Sequence, residues 1–120
     1  MTQDMSSYRD LTRAVSASLA KLRTDSPELM KAFTSLAQAA TREGALSSKT
    51  KELIALVLGV AGHCDACIGF HVKTLVTLGV TREELEEALG VAVYMGGGPS
   101  LMYAAGALRA YEELAAPVPA

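Results

Sequence analysis

The sequence contains no tryptophan, and aromatic residues make up only 5% of it, so leucine, valine, alanine and methionine must fill whatever core it builds. It has no excess of positive charge: 11 Lys and Arg stand against 13 Asp and Glu, and the basic residues are scattered. Nucleic-acid binding calls for a clustered basic face, which this pattern excludes. No long polar tract marks a disordered segment. The longest apolar run, Leu53 to Gly62, is roughly half the ~20 residues needed to cross a bilayer. The opening stretch MTQDMSSYRD is polar and lacks an apolar segment of signal-peptide type. These absences point away from a membrane and toward the cytoplasm. Cysteine is scarce as well, limited to Cys64 and Cys67. In a reducing compartment a C-x-x-C pair fits catalysis or metal binding better than a structural cross-link.

What is present reads as one domain over residues 1–120, all-α, with six helices and no strands. The first, about Ser7 to Arg23, carries Tyr8, Leu11, Val15, Leu19 and Leu22 at helical spacing. Ser26-Pro27 opens a second helix, with a cap followed by proline at the first helical position. That helix gathers Leu29, Phe33, Leu36 and Ala40 on one face and stops near Gly44. Ser47 or Ser48 caps a third, apolar all round from Leu53 to Ala61 and so expected to be buried on every side. Gly62 interrupts it, and a fourth helix runs from about Cys64 to Leu78, closed by Gly79. Thr81 and Glu84 form a capping box for the fifth, and Gly96-Gly97-Gly98-Pro99 separates it from a last helix over about Ser100 to Leu114. The tail Ala115 to Ala120 is expected to fray.

The chemistry concentrates in Glu52 and in the segment His63-Cys64-Asp65-Ala66-Cys67-Ile68-Gly69-Phe70-His71. At about 100° per residue, Cys64, Cys67 and His71 fall at about 0°, 300° and 340°, on one helical face along which a proton could pass. Thiolate is the nucleophile, and both a helix N-terminus and a neighbouring histidine favour it. If the chain reverses near Gly62, residues equidistant from the turn face each other. The midpoint of 52 and 71 falls between Ala61 and Gly62, so Glu52 is expected opposite His71, orienting its ring. The inferred relay runs from Glu52 to His71 to Cys67, with Cys64 as partner thiol.

The pattern Glu, eleven residues, Cys-x-x-Cys, three residues, His resembles the alkylhydroperoxidase AhpD / carboxymuconolactone decarboxylase family. The stretch from Val91 to Tyr103 (VAVYMGGGPSLMY) is similar to that family's C-terminal segment, and the resemblance covers about residues 27–114. It implies an all-α bundle whose helices associate between subunits, as a trimer or hexamer. It also implies thiol-dependent reduction of a small hydroperoxide, with an electron-donor protein or lipoyl group restoring the thiols. By motif position Cys67 would react with peroxide, Cys64 would resolve, and Glu52 and His71 would relay protons. One position departs: a second histidine precedes the second cysteine in the best-studied members, whereas Ala66 stands here, and His63 is not its equivalent. The decarboxylase branch works without this cysteine pair, so Cys64 and Cys67 argue against that activity.

Rival readings stand beside this one. Cys64, Cys67 and His71 are all zinc ligands, with Glu52 or His63 as a fourth, but structural zinc usually draws its second ligand pair from a separate segment. The cysteines could be inert core thiols in a helical oligomerisation module. His71 and Glu52 could instead serve as acid and base of a lyase or isomerase acting on a small lactone or keto acid. His63 reads as a turn residue, Asp65 as a helix-start acid, the Glu83–Glu87 cluster as a solvated face, and Gly96 to Gly98 as a helix stop rather than a phosphate loop. Met95, Met102, Tyr94 and Tyr103 suit core or subunit interface better than any cofactor box, and no cofactor is expected. Self-association is expected from surplus apolar surface on the fourth and sixth helices.

Overall fold

The computed structural model describes residues 7–117, and among them there are six helices and no strand. They are α1 (Tyr8–Asp25), α2 (Pro27–Thr41), α3 (Ser48–Ala61), α4 (Asp65–Thr77), α5 (Arg82–Gly96) and α6 (Gly98–Ala115). The polar opening residues before Ser7 and the last part of the tail, residues 118–120, lie outside the described residues.

Side chains at the helix starts explain why the elements begin where they do. Ser7 accepts the backbone N–H of Asp10, and Ser47, rather than Ser48, accepts that of Thr50, each satisfying a donor that the helix itself cannot. Thr81 and Glu84 close a reciprocal capping box on α5. Glu84 accepts from the Thr81 backbone at 2.9 Å and from Lys49 Nζ at 2.9 Å, which holds its carboxyl below the usual carboxylate range. Between α5 and α6 stands Gly97 alone, with φ 77°, a conformation that L side chains rarely adopt. The Ser100 side chain fills the space beside Gly96 where a side chain there would lie.

The core is aliphatic, as a tryptophan-free sequence requires. Leu56 and Val60 of α3, Ile68, Val72 and Leu75 of α4, and Leu85 of α5 are fully buried. Ala104, Ala107 and Ala110 give α6 a small-residue face that lets it pack closely on α4. α3 and α4 form the central hairpin, and α5, α6 and α1 close around it.

Two expectations about apolar faces are corrected. On α4 the surplus is small, because Ile68, Val72 and Leu75 lie on one face turned into the core, and Leu78 at its C-cap is the exposed large apolar residue. On α6 the surplus does exist, at Leu101 and Met102. A further apolar face turned outward is on α2, which buries none of its residues: Leu29, Phe33 and Leu36 are 65%, 62% and 63% exposed. α3 also departs from all-round burial, since Ile54 and Leu58 face outward. Tyr94, Met95 and Met102 are exposed, so none of them is core of this chain. No helix among the described residues is long and apolar enough to cross a membrane.

Candidate active site

The site lies where α3 hands over to α4. Gly62 caps α3, its N–H donating to the Leu58 carbonyl at 2.8 Å. His63 turns the chain with φ 56°, which is uncommon for a residue with a side chain. The Cys64 N–H then donates back to the Gly59 carbonyl at 3.0 Å. This places Cys64 outside α4 as its N-cap, with Sγ accepting the backbone N–H of Cys67 at 3.1 Å. Cys64 therefore does not share the helical face, and it reaches Cys67 from the cap position instead. The two sulfurs are joined as a disulfide, with Cα atoms 5.2 Å apart. Both cysteines are half-buried.

Glu52 and His71 meet as the hairpin midpoint requires. Glu52 is 8% exposed, and its Oε1 lies 2.8 Å from His71 Nδ1. A carboxylate can only accept, so Nδ1 carries the hydrogen and Nε2 of the neutral ring is left as the acceptor. His71 follows Cys67 by one turn of α4, so the two residues share a face of that helix. The backbones of α3 and α4 close in at Gly59: a Cβ there would stand 3.2 Å from Cys67 Cβ. Glycine at 59 thus sets how near the buried carboxylate comes to the helix that bears Cys67.

Two contacts were not foreseen from sequence. The His63 ring stacks on Tyr103 of α6, centroids 4.7 Å apart and planes within 9°. Tyr8, read only as an apolar residue of α1, is 3% exposed and directs its hydroxyl at Asp65 Oδ1, 3.4 Å away, while the Arg109 guanidinium lies 4.7 Å from its ring centre. Burial, then the Asp65 charge, raise the Tyr8 hydroxyl above its ordinary pKa, so it remains a donor. The readable signal was glycine inside helices at 69 and 106, which marks close approach. A Cβ at Gly106 would stand 2.6 Å from the Tyr8 hydroxyl oxygen. The remaining assignments hold: His63 is a turn residue, Asp65 a helix-start acid, and Gly96 to Gly98 a helix stop. Among the described residues, no three His, Cys, Asp or Glu side chains are grouped as a metal ion would need.

The arrangement is that of an all-helical protein with a cysteine pair at a helix start and, one turn along, a half-buried imidazole bonded to a buried acid. The carboxymuconolactone decarboxylase family model matches residues 27–110, and the chain belongs to this family. A solved family protein from Legionella pneumophila superposes with a TM-score of 0.90 at 61% identity, covering 91% of this chain and 97% of that one. A family protein from Thermotoga maritima, ascribed a possible involvement in an antioxidative response, gives a TM-score of 0.77 at 33% identity over 86% of this chain and 88% of its own. Among sequence relatives, an uncharacterised protein of Cupriavidus necator is 43% identical over 88 residues, 73% of this chain and 78% of its own. Uncharacterised protein 4 of the cox locus of Paracoccus denitrificans is 33% identical over 99 residues, 82% of this chain and 89% of its own.

Proposed function

We propose that this protein is a thiol-dependent oxidoreductase that reduces small hydroperoxides through Cys64 and Cys67. The observation that carries the reading is the buried Glu52 carboxylate bonded to His71 one turn from a cysteine already paired with its neighbour. In the first step the Cys67 thiolate attacks the distal peroxide oxygen and the O–O bond breaks. The departing alkoxide takes a proton by way of His71, leaving an alcohol and a sulfenic acid at Cys67. The Cys64 sulfur then displaces hydroxide from that sulfenic acid, water leaves, and the disulfide forms. A dithiol on a donor protein or lipoyl group returns two electrons and two protons by exchange. The antioxidative involvement ascribed to the Thermotoga relative supports this reading. The hydrogen bond from Cys67 N–H would also favour an anion on Cys64, so the attacking and resolving roles are what the variants must decide.

The test is mass spectrometry of the reduced protein after brief exposure to a hydroperoxide, with and without a sulfenic-acid trap. Cys67→Ser should abolish turnover, and Cys64→Ser should leave a trappable sulfenic acid at Cys67. Exchanged phenotypes would reverse the roles, and turnover untouched by either variant would end the redox reading. Activity that survives alkylation of both cysteines would instead favour a lyase built on His71 and Glu52.

The protein works in the cytoplasm as a homo-oligomer in which a second copy covers the α2 face. Leu29, Phe33 and Leu36 support this, because an apolar stripe of that kind is costly to leave in water. Light scattering should return a multiple of 12.6 kDa.

A further inference from the structure

We propose that α1 tunes the thiol pair: the Tyr8 hydroxyl, with Arg109 beside it, is a positioning group that offsets the Asp65 carboxylate and so raises the share of thiolate once the disulfide is reduced. The inference rests on the redox reading of the cysteines and goes beyond it, because α1 lies outside the stretch matched by the family model.

The argument begins with charge. The first turn of α4 offers its positive end to an anion at Cys64 or Cys67. Asp65 sits in that same turn, between the two cysteines, and its negative charge opposes a thiolate. A group that draws on the carboxylate relieves this opposition. Tyr8 is the hydroxyl placed to do so, at 3.4 Å, longer than an ordinary hydroxyl–carboxylate bond, so its effect is chiefly electrostatic. Arg109 adds positive charge over the face of the same ring.

The placement is built rather than incidental. Glycine at 69 admits α1, since a Cβ there would stand 2.6 Å from Thr12 Cγ2 and 3.4 Å from Tyr8 Cδ1. Glycine at 106 admits the hydroxyl itself. The start of α1 is also tied to the end of α6: Glu113 accepts the Arg9 backbone N–H at 2.7 Å, and Arg9 donates from its guanidinium to the Glu113 carbonyl at 3.1 Å.

The other ionisable groups around the start of α4 are Glu52 on α3, His71 on α4, Tyr103 on α6 and His63 before Cys64, and all stay unchanged in the experiment. That experiment is a double-mutant cycle read by thiolate absorbance of the reduced protein across pH, with no oxidant present. Asp65 is exposed, so water screens part of its charge and the shifts are modest. Tyr8→Phe should raise the lower thiol pKa by about half a unit, roughly a threefold smaller thiolate share at a pH below it. Asp65→Asn should lower it by about the same amount, and adding Tyr8→Phe to Asp65→Asn should change nothing more. Gly106→Ala, which displaces the hydroxyl while keeping Asp65, should reproduce the Tyr8→Phe shift and carries the test if Tyr8→Phe fails to fold. No shift in Tyr8→Phe, or the same shift with and without Asp65, overturns the proposal. Because no turnover is measured, a protein that shows this coupling yet ignores hydroperoxide would sink the peroxidase reading alone.

Discussion

The α3–α4 hairpin and α2 are both apolar helical segments, yet one buries a core face and the other buries nothing. In the hairpin, Leu56, Val60, Ile68 and Val72 are fully buried and a carboxylate is carried inside, bonded to a half-buried imidazole. In α2 no residue is buried, although its apolar spacing is the cleaner of the two patterns. Periodicity therefore tells that a face wants covering, and not whether the same chain covers it. The hairpin carries its interior within one chain, whereas α2 shows a face suited to something outside it.

The difference can be broken or sharpened by five measurements. The largest effect belongs to the Glu52–His71 couple. Glu52→Gln and His71→Ala should slow the reaction of Cys67 with hydroperoxide by ~10²–10⁴, with His71→Ala the worse, as single-turnover kinetics would register. Rates equal to the parent across the neutral range would make the couple purely structural. Next, Leu56→Ala should cost about 2–5 kcal/mol in denaturant unfolding, the usual range for a cavity in a packed core. Gly59→Ala should follow at about 1–3 kcal/mol, because its methyl presses on Cys67 Cβ. An unchanged melting curve would show that the two helices separate more easily than their packing suggests.

By contrast, Phe33→Ser on α2 should change the stability of an isolated chain by no more than about 0.5 kcal/mol, while lowering the assembled mass in light scattering. A large loss of stability at concentrations where the protein is a monomer would move α2 into the same class as the hairpin. The smallest effect concerns Glu84. Its carboxyl is held below the ordinary range, so its contribution is present above the unfolded-state value of about 4.3 and is lost as pH falls through the lowered folded-state value. Glu84→Gln should therefore narrow its gap to the parent in thermal melts only in that acid range.

Much of this was legible because it is local or symmetric. The helices follow from spacing, and Ser7, Ser47 and Thr81 announce their starts by side-chain chemistry that needs no tertiary contact. The meeting of Glu52 and His71 follows from counting outward from a turn, since an antiparallel helical pair preserves that symmetry. Cys64 as N-cap was less legible, because cysteine is not among the usual capping residues and its place depends on His63 adopting a positive φ. The approach of Tyr8 to Asp65 spans 57 positions and depends on how α1 docks, which no local pattern encodes. The outward turn of α2 was hidden for the same reason: spacing defines a stripe, and docking alone decides its direction.

Gly97 has a mechanical consequence as well. With one residue between α5 and α6, the heading of the whole last helix is set by a single pair of dihedral angles. Tyr103 lies six residues beyond that joint, a lever arm of about 9 Å at ~1.5 Å per residue. An angular error of about 10° at the joint would swing Tyr103 sideways by roughly 1.6 Å, enough to slide it off the His63 ring. Gly97 thus works as a fixed elbow, and the alignment of the turn that delivers Cys64 depends on how stiffly it is held.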